Sequence, residues 1–225
     1  MKYLLLFLFF PWVCLSQTSE ITMNTDAFKE LKVYDGLSVT IQKGHTNEIK
    51  ISGEATKNVV IDNDKGVLKI KMKFKKMFGG YRTFVSITHQ NPFNSLDANE
   101  DSSIEVLGSI TQEVLRLNTQ EGAQIIASVE VDQLIVKAVS GGTVISQGTT
   151  NIQDISINTG GIYKGASLQS SFTTIEVNAG GSASIRASDY VGANVKAGGA
   201  IKVYGDPKKM DEKKLFGGSI ERIKN

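Results

Sequence analysis

A glycine corner that returns about every 19 residues constrains this chain more than any other feature. Between Leu115 and Val203 five stretches share one pattern: an apolar residue, a skip, a second small or apolar residue, a Gly corner, then another apolar residue. They read Leu117-x-Thr119 before Gly122-Ala123, Val136-x-Ala138 before Gly141-Gly142, Ile155-x-Ile157 before Gly160-Gly161, Ile175-x-Val177 before Gly180-Gly181, and Ala193-x-Val195 before Gly198-Gly199. The first Gly of each copy follows its predecessor by 19, 19, 20 and 18 residues. Ile125, Val144, Tyr163, Ala183 and Ile201 stand three places beyond it. Alternation on both sides of the corner predicts strand–turn–strand, and a fixed period near 20 predicts a stack of such units. The expected fold is all-β: a β-helix, or β-solenoid, of Gly-cornered rungs.

A single rung cannot fold alone. It offers only a few inward apolar side chains, each contributing roughly 1.5–3 kcal/mol when buried. Ordering its backbone costs about 1–2 kcal/mol for every residue. Neighbouring rungs must supply the missing contacts and the ladder hydrogen bonds. The Gly pairs fit corners that need positive φ or leave no room for a Cβ. A phosphate-cradling Gly loop would need a following helix, and none is legible.

Residues 1–16 read as a secretory signal peptide, with Lys2 ahead of an apolar run from Tyr3 to Leu15. The run is too short for a spanning helix, which needs ~20 residues. A lipoprotein signal ending at Cys14 is disfavoured, because Val13 and Pro11 stand where small and Leu-like residues belong. Cleavage after Ser16 removes the only cysteine, leaving no disulfide and no thiol nucleophile. The mature chain is expected to be exported to the periplasm, cell surface or extracellular space, without a transmembrane segment. The formal charge of the whole chain is +2, and losing Lys2 lowers it by one. Such a balance does not point to nucleic acid. Residues 17–225 are expected to form one domain: N-terminal strands over 27–90, rungs over 95–205 and a C-terminal cap over 206–225.

Within 27–90, Leu31–Tyr34 and Leu37–Ile41 flank an Asp35-Gly36 turn, and Ile49–Ile51 and Phe84–Thr88 read as further strands. Val59–Ile61 and Val67–Ile70 flank Asp62-Asn63-Asp64-Lys65-Gly66. That acidic turn lacks the full ligand series and distal Glu of a calcium loop, so a surface hairpin is expected.

The segment Phe28-Lys29-Glu30-Leu31-Lys32-Val33-Tyr34-Asp35-Gly36-Leu37-Ser38-Val39 resembles the opening of the head GIN domain family of putative auto-transporter adhesins. A later strand resembles Val67-Leu68-Lys69-Ile70, and the repeats close in Gly205-Asp206-Pro207 to Gly217-Gly218-Ser219, as in that family. The family's Gly-Ile-Asn triplet reads Gly36-Leu37-Ser38 here. The resemblance covers about 27 to 223 and implies a secreted β-solenoid with an adhesin-type role.

Little in the chain suggests catalysis. His45 and His89 are isolated and read as solvated strand-end residues. No HExxH, Cys–His pair or G-x-S-x-G occurs. Glu130 and Asp132 point the same way along one strand at roughly 6.5–7 Å, near the separation of inverting glycosidases, but a solvated turn explains them equally well. No catalytic residue, cofactor site or metal site is expected.

The most unusual segment is Lys69-Ile70-Lys71-Met72-Lys73-Phe74-Lys75-Lys76. Period-two alternation puts Lys69, Lys71, Lys73 and Lys75 on one strand face and Ile70, Met72 and Phe74 on the other. The lysine row is the candidate site for an anionic ligand. The alternative is a solvent face, or an edge strand protected by Lys. Met77-Phe78-Gly79-Gly80 is echoed by Leu215-Phe216-Gly217-Gly218, which suggests caps at the two ends. The expected function is a non-enzymatic envelope or surface binding module, an adhesin recognising a surface glycan, lipopolysaccharide or protein ligand. A carbohydrate-active enzyme, or a structural or sensor component of the envelope, is the alternative.

Overall fold

The computed structural model describes residues 20–224. The expected signal peptide therefore lies outside the described residues. The fold is a parallel β-solenoid of about 7 turns with rungs about 19 residues apart, as the glycine period predicts.

Its first strands are β1 (Ile21–Asn24), β2 (Glu30–Val33), β3 (Ser38–Lys43), β4 (Glu48–Gly53), β5 (Val59–Asp64), β6 (Val67–Met72), β7 (Thr83–His89) and β8 (Ser95–Ala98). Five long strands follow: β9 (Ser103–Thr119), β10 (Gln124–Val139), β11 (Thr143–Asn158), β12 (Ile162–Asn178) and β13 (Ser182–Lys196). β14 (Ala200–Tyr204), β15 (Lys209–Leu215) and β16 (Ser219–Arg222) end the chain. Each long strand crosses from one flank of the solenoid to the other midway. The first half of β9 thus pairs with β3, and its second half with β8.

The register stacks like on like. Ile104, Ile125, Val144, Tyr163, Ala183 and Ile201 align along one flank. Leu117, Val136, Ile155, Ile175 and Ala193 align along the other. All are buried, so the core is the seam between the two flanks.

The two corner glycines do different jobs. Gly160 has φ +72° and open space where a Cβ would stand, so only backbone torsion demands glycine there. A Cβ on Gly161, whose φ is ordinary, would meet the Ala138 carbonyl oxygen at 2.2 Å. That glycine lets adjacent rungs approach.

The N-terminal strands over 27–90 join the same ladder. β2 lies between β6 and β8, and β3 between β7 and β9, all in parallel. The rung made first in the chain is thus sandwiched by the two made later. Antiparallel strands close this end: β4 on β7, β1 on β4, and β5 on β6. The β5–β6 turn is the expected hairpin, with Lys65 and Gly66 at positive φ.

The opposite end closes by charge. Val191, Ala193 and Val195 face the core, and the residues registered on them in β15 are Met210, Glu212 and Lys214. In β16 the partner of buried Val203 is Arg222. Charges at inward positions prevent a further strand from adding there. Some polar residues are drawn inside. Ser170 is buried and donates to the Arg186 carbonyl at 2.8 Å.

Candidate functional site

The lysine row sits at the N-terminal end of one flank. Lys69 on β6 is registered between Asp62 of β5 and Lys32 of β2. Lys71 is exposed, opposite Val60. Since β5 covers the outer side of β6, the row is not on an edge strand.

The strand stops at Met72, two residues earlier than alternation predicts for Phe74. The cause is Asp35, a buried carboxylate on the neighbouring corner. Its Oδ2 accepts the Met72 amide at 2.9 Å, and its Oδ1 accepts the Phe78 amide at 3.2 Å. The Lys73 amide donates to the Asn58 carbonyl at 2.8 Å, and Phe74–Lys76 form a 3-10 turn. Ile70 and Met72 therefore face the core as expected, whereas Phe74 is 87% exposed. Lys73 and Lys75 lie beyond the strand, so the four lysines form a cluster at a strand end and not one straight row. Lys73 Nζ donates to the Lys57 carbonyl at 2.8 Å.

Between β6 and the following turn lies a cleft of about 640 Å³. Lys69, Lys71 and Lys73 line it, together with Phe74, Met77 and Tyr34. Asp35 and Glu100 border the same cleft. Burial, then the Asp35 carboxylate, pushes the Glu100 carboxyl above its ordinary value. Burial, then Asp97 and Glu100, raises the Tyr34 phenol. The cleft thus joins three ammonium groups to an apolar wall. It suits a phosphate or carboxylate carried on a partly apolar ligand.

The cationic character is local. Along this flank the outward column reads Asp62, Lys69, Lys32, Asp97, Asn118, Lys137, Ser156, Glu176, Asn194 and Lys213. Past Lys32 the charges alternate or vanish, and Lys32 itself lies 3.6 Å from Asp97. Along the chain, seven basic residues and no acidic one occur from Lys65 through Arg82, counting both ends.

The other candidates resolve differently. Glu130 and Asp132 are both exposed where β10 crosses between flanks. Ser109 donates to the first at 3.3 Å, and Asn151 to the second at 3.2 Å. His45 is exposed. His89 is not solvated: it is buried against Phe28 and Phe93, with Nδ1 3.0 Å from the Asn91 carbonyl oxygen. Among the described residues no three His, Cys, Asp or Glu side chains are placed to hold a metal. Sequence reasoning missed Asp35, which reads as a turn residue, and the outward turn of Phe74.

The model of the family described as "Putative auto-transporter adhesin, head GIN domain" matches residues 27–207. No curated protein matches the chain. Among solved structures, a putative adhesin from Bacteroides fragilis is similar at TM-score 0.79 and 16% identity, over 92% of this chain and 98% of that one. A putative adhesin from Parabacteroides merdae is similar at TM-score 0.70 and 18% identity, over 93% and 98%. A putative lipid binding protein from Parabacteroides distasonis is similar at TM-score 0.67 and 16% identity, over 93% and 98%. At these identities the likeness establishes the fold.

Proposed function

The chain belongs to the head GIN domain family, and from that membership and the cationic cleft we propose that it is a non-enzymatic binding module of the cell envelope that docks on an anionic surface ligand. In this reading residues 1–16 direct export and are removed, and 17–225 act as one domain. The ligand is a phosphate- or carboxylate-bearing surface component of the glycan or lipopolysaccharide class. The names of the family and of its structural neighbours support an adhesin-type role. The observation that carries the reading is the gathering of Lys69, Lys71 and Lys73 around one cleft, with Lys75 on the adjoining turn.

The affinity comes mainly from screened charge. With a Debye length of ~8 Å at physiological salt, binding weakens steeply as salt rises. The test is retention on immobilised heparin, a model polyanion, at low and moderate salt. Wild type is retained at low salt and released by moderate salt. The variant with Lys69, Lys71, Lys73 and Lys75 all changed to Gln flows through, while its fold is kept because Ile70 and Met72 are untouched. Equal retention of the two proteins, or no retention of wild type at low salt, refutes the reading.

A further inference from the structure

The turn after β6 carries an element that a polyanion would not use. Phe74 is the most exposed large apolar side chain among the described residues, at 87%. Phe78 is 54% exposed and Met77 42%. These three stand together on one turn, interleaved with Lys73, Lys75 and Lys76. The backbone beneath them is fixed. The Lys76 amide donates to the Lys73 carbonyl at 2.7 Å, and the Gly80 amide to the Asp35 carbonyl at 2.9 Å. Asp35 holds the two ends of the turn through its carboxylate. An apolar tip held outward by a buried carboxylate, and interleaved in sequence with lysines, has the pattern of an interfacial lipid anchor.

We propose that residues 73–82 form a lipid-insertion tip. Phe74, Met77 and Phe78 enter an anionic leaflet, while Lys71, Lys73, Lys75 and Lys76 engage its headgroup phosphates. The proposal rests on the cationic patch argued above and adds the apolar component. The lysines of the turn outnumber the acids beside it. Asp35 is buried and Glu54 is paired with Arg82 at 2.9 Å, which leaves Glu100 on the cleft border and Asp101, which accepts the Tyr81 hydroxyl at 3.1 Å. The opposite end of the solenoid is a poor partner for this tip. Its exposed corner, Lys213-Lys214-Leu215-Phe216, carries charge of the same sign, so an end-to-end contact between copies sets Lys against Lys.

The test uses the full chain with its single tryptophan moved to the tip, W12F/F74W. Emission from residue 74 then reports the tip and is blind to the apolar N-terminal run. Phosphatidylcholine vesicles with and without phosphatidylglycerol are the probes. The expected result is a blue shift with the anionic vesicles only, reversed by high salt. Adding Phe78→Ser weakens partitioning roughly tenfold. Changing Lys71, Lys73, Lys75 and Lys76 to Gln weakens it about six-hundredfold, at roughly fivefold per lysine. All of these side chains are outside the core, so the fold survives. No shift with anionic vesicles, or an equal shift with neutral ones, overturns the proposal. So does a shift that follows protein concentration without vesicles, which would mean that a second copy covers the tip. Heparin retention combined with an unmoved tryptophan sinks the tip alone and leaves the binding reading standing.

Discussion

Gly160 and Gly161 are neighbours with opposite reasons to be glycine, and substituting each by Ala separates torsion from space. At Gly160 an added Cβ meets nothing within 4 Å, so the cost is that of holding alanine at φ +72°. That is about 1–2 kcal/mol, less a gain of about 0.4–1 from the stiffer unfolded chain. At Gly161 the torsion is ordinary, but the Cβ falls 2.2 Å from the Ala138 oxygen and 2.6 Å from its carbonyl carbon. Both atoms are backbone of the adjoining rung and cannot rotate away. Relief needs a shift of about 1 Å, which strains the ladder bonds Ile162 N–H to Gly142 O at 2.9 Å and Ser182 N–H to Gly161 O at 3.0 Å. Two weakened bonds at about 1 kcal/mol each, plus about 1–3 for overpacking, give a loss of about 3–5 kcal/mol. For a domain stable by about 5–15 kcal/mol this is large. Urea melts of wild type, Gly160→Ala and Gly161→Ala should place the Gly161 variant's midpoint well below the other two, with similar slopes. A Gly161 midpoint equal to or above that of Gly160 refutes the division of labour at the corner.

Two further predictions concern buried titratable groups. Tyr163 is fully buried, with its hydroxyl 2.6 Å from Ser146 Oγ and donating to Gln153 Oε1 at 3.1 Å, and burial raises its phenol well above 10.0. A raised folded value means that stability is intact below about 10 and lost as pH climbs further. Tyr163→Phe should therefore lower stability at neutral pH by about 1–3 kcal/mol while flattening the alkaline loss, read by chemical melts at neutral and high pH. Burial holds the His89 imidazole below 6.5, partly opposed by the Asn91 carbonyl and helped by Lys43. A lowered folded value for a base means stability present above 6.5 and lost as pH falls below it. His89→Phe should remove that part of the acid sensitivity, and an unchanged pH profile of melting temperature between pH 7 and 5 counts against it.

The period of 19 residues and the alternation around each corner were enough to read the rungs, because both are local properties of the chain. The same holds for the hairpin at Lys65-Gly66, where two adjacent residues supply the turn. What escaped depends on partners distant in sequence. Phe74 continues an alternation that should bury it, but Asp35, far earlier in the chain, takes the Met72 amide and ends the strand. His89 looks like a surface residue until an aromatic pair covers it. The placement of β2 and β3 between strands made later is a choice of partner, and no alternation pattern encodes that choice. The lysines were legible as a charge cluster, whereas the cleft they line comes from the strand end that Asp35 creates.

The ladder runs from β1 at one end to β16 at the other, so the two ends of the described chain leave from opposite poles of the stack. A pull between them acts along the inter-rung hydrogen bonds and meets them in series. Such a stack peels one rung at a time and does not shear all at once. Each rung of about 19 residues releases roughly 65 Å of extended chain in place of ~4.8 Å of ladder. A molecule fixed at one pole and loaded at the other would lengthen in steps, limiting the tension that reaches whatever its tip holds.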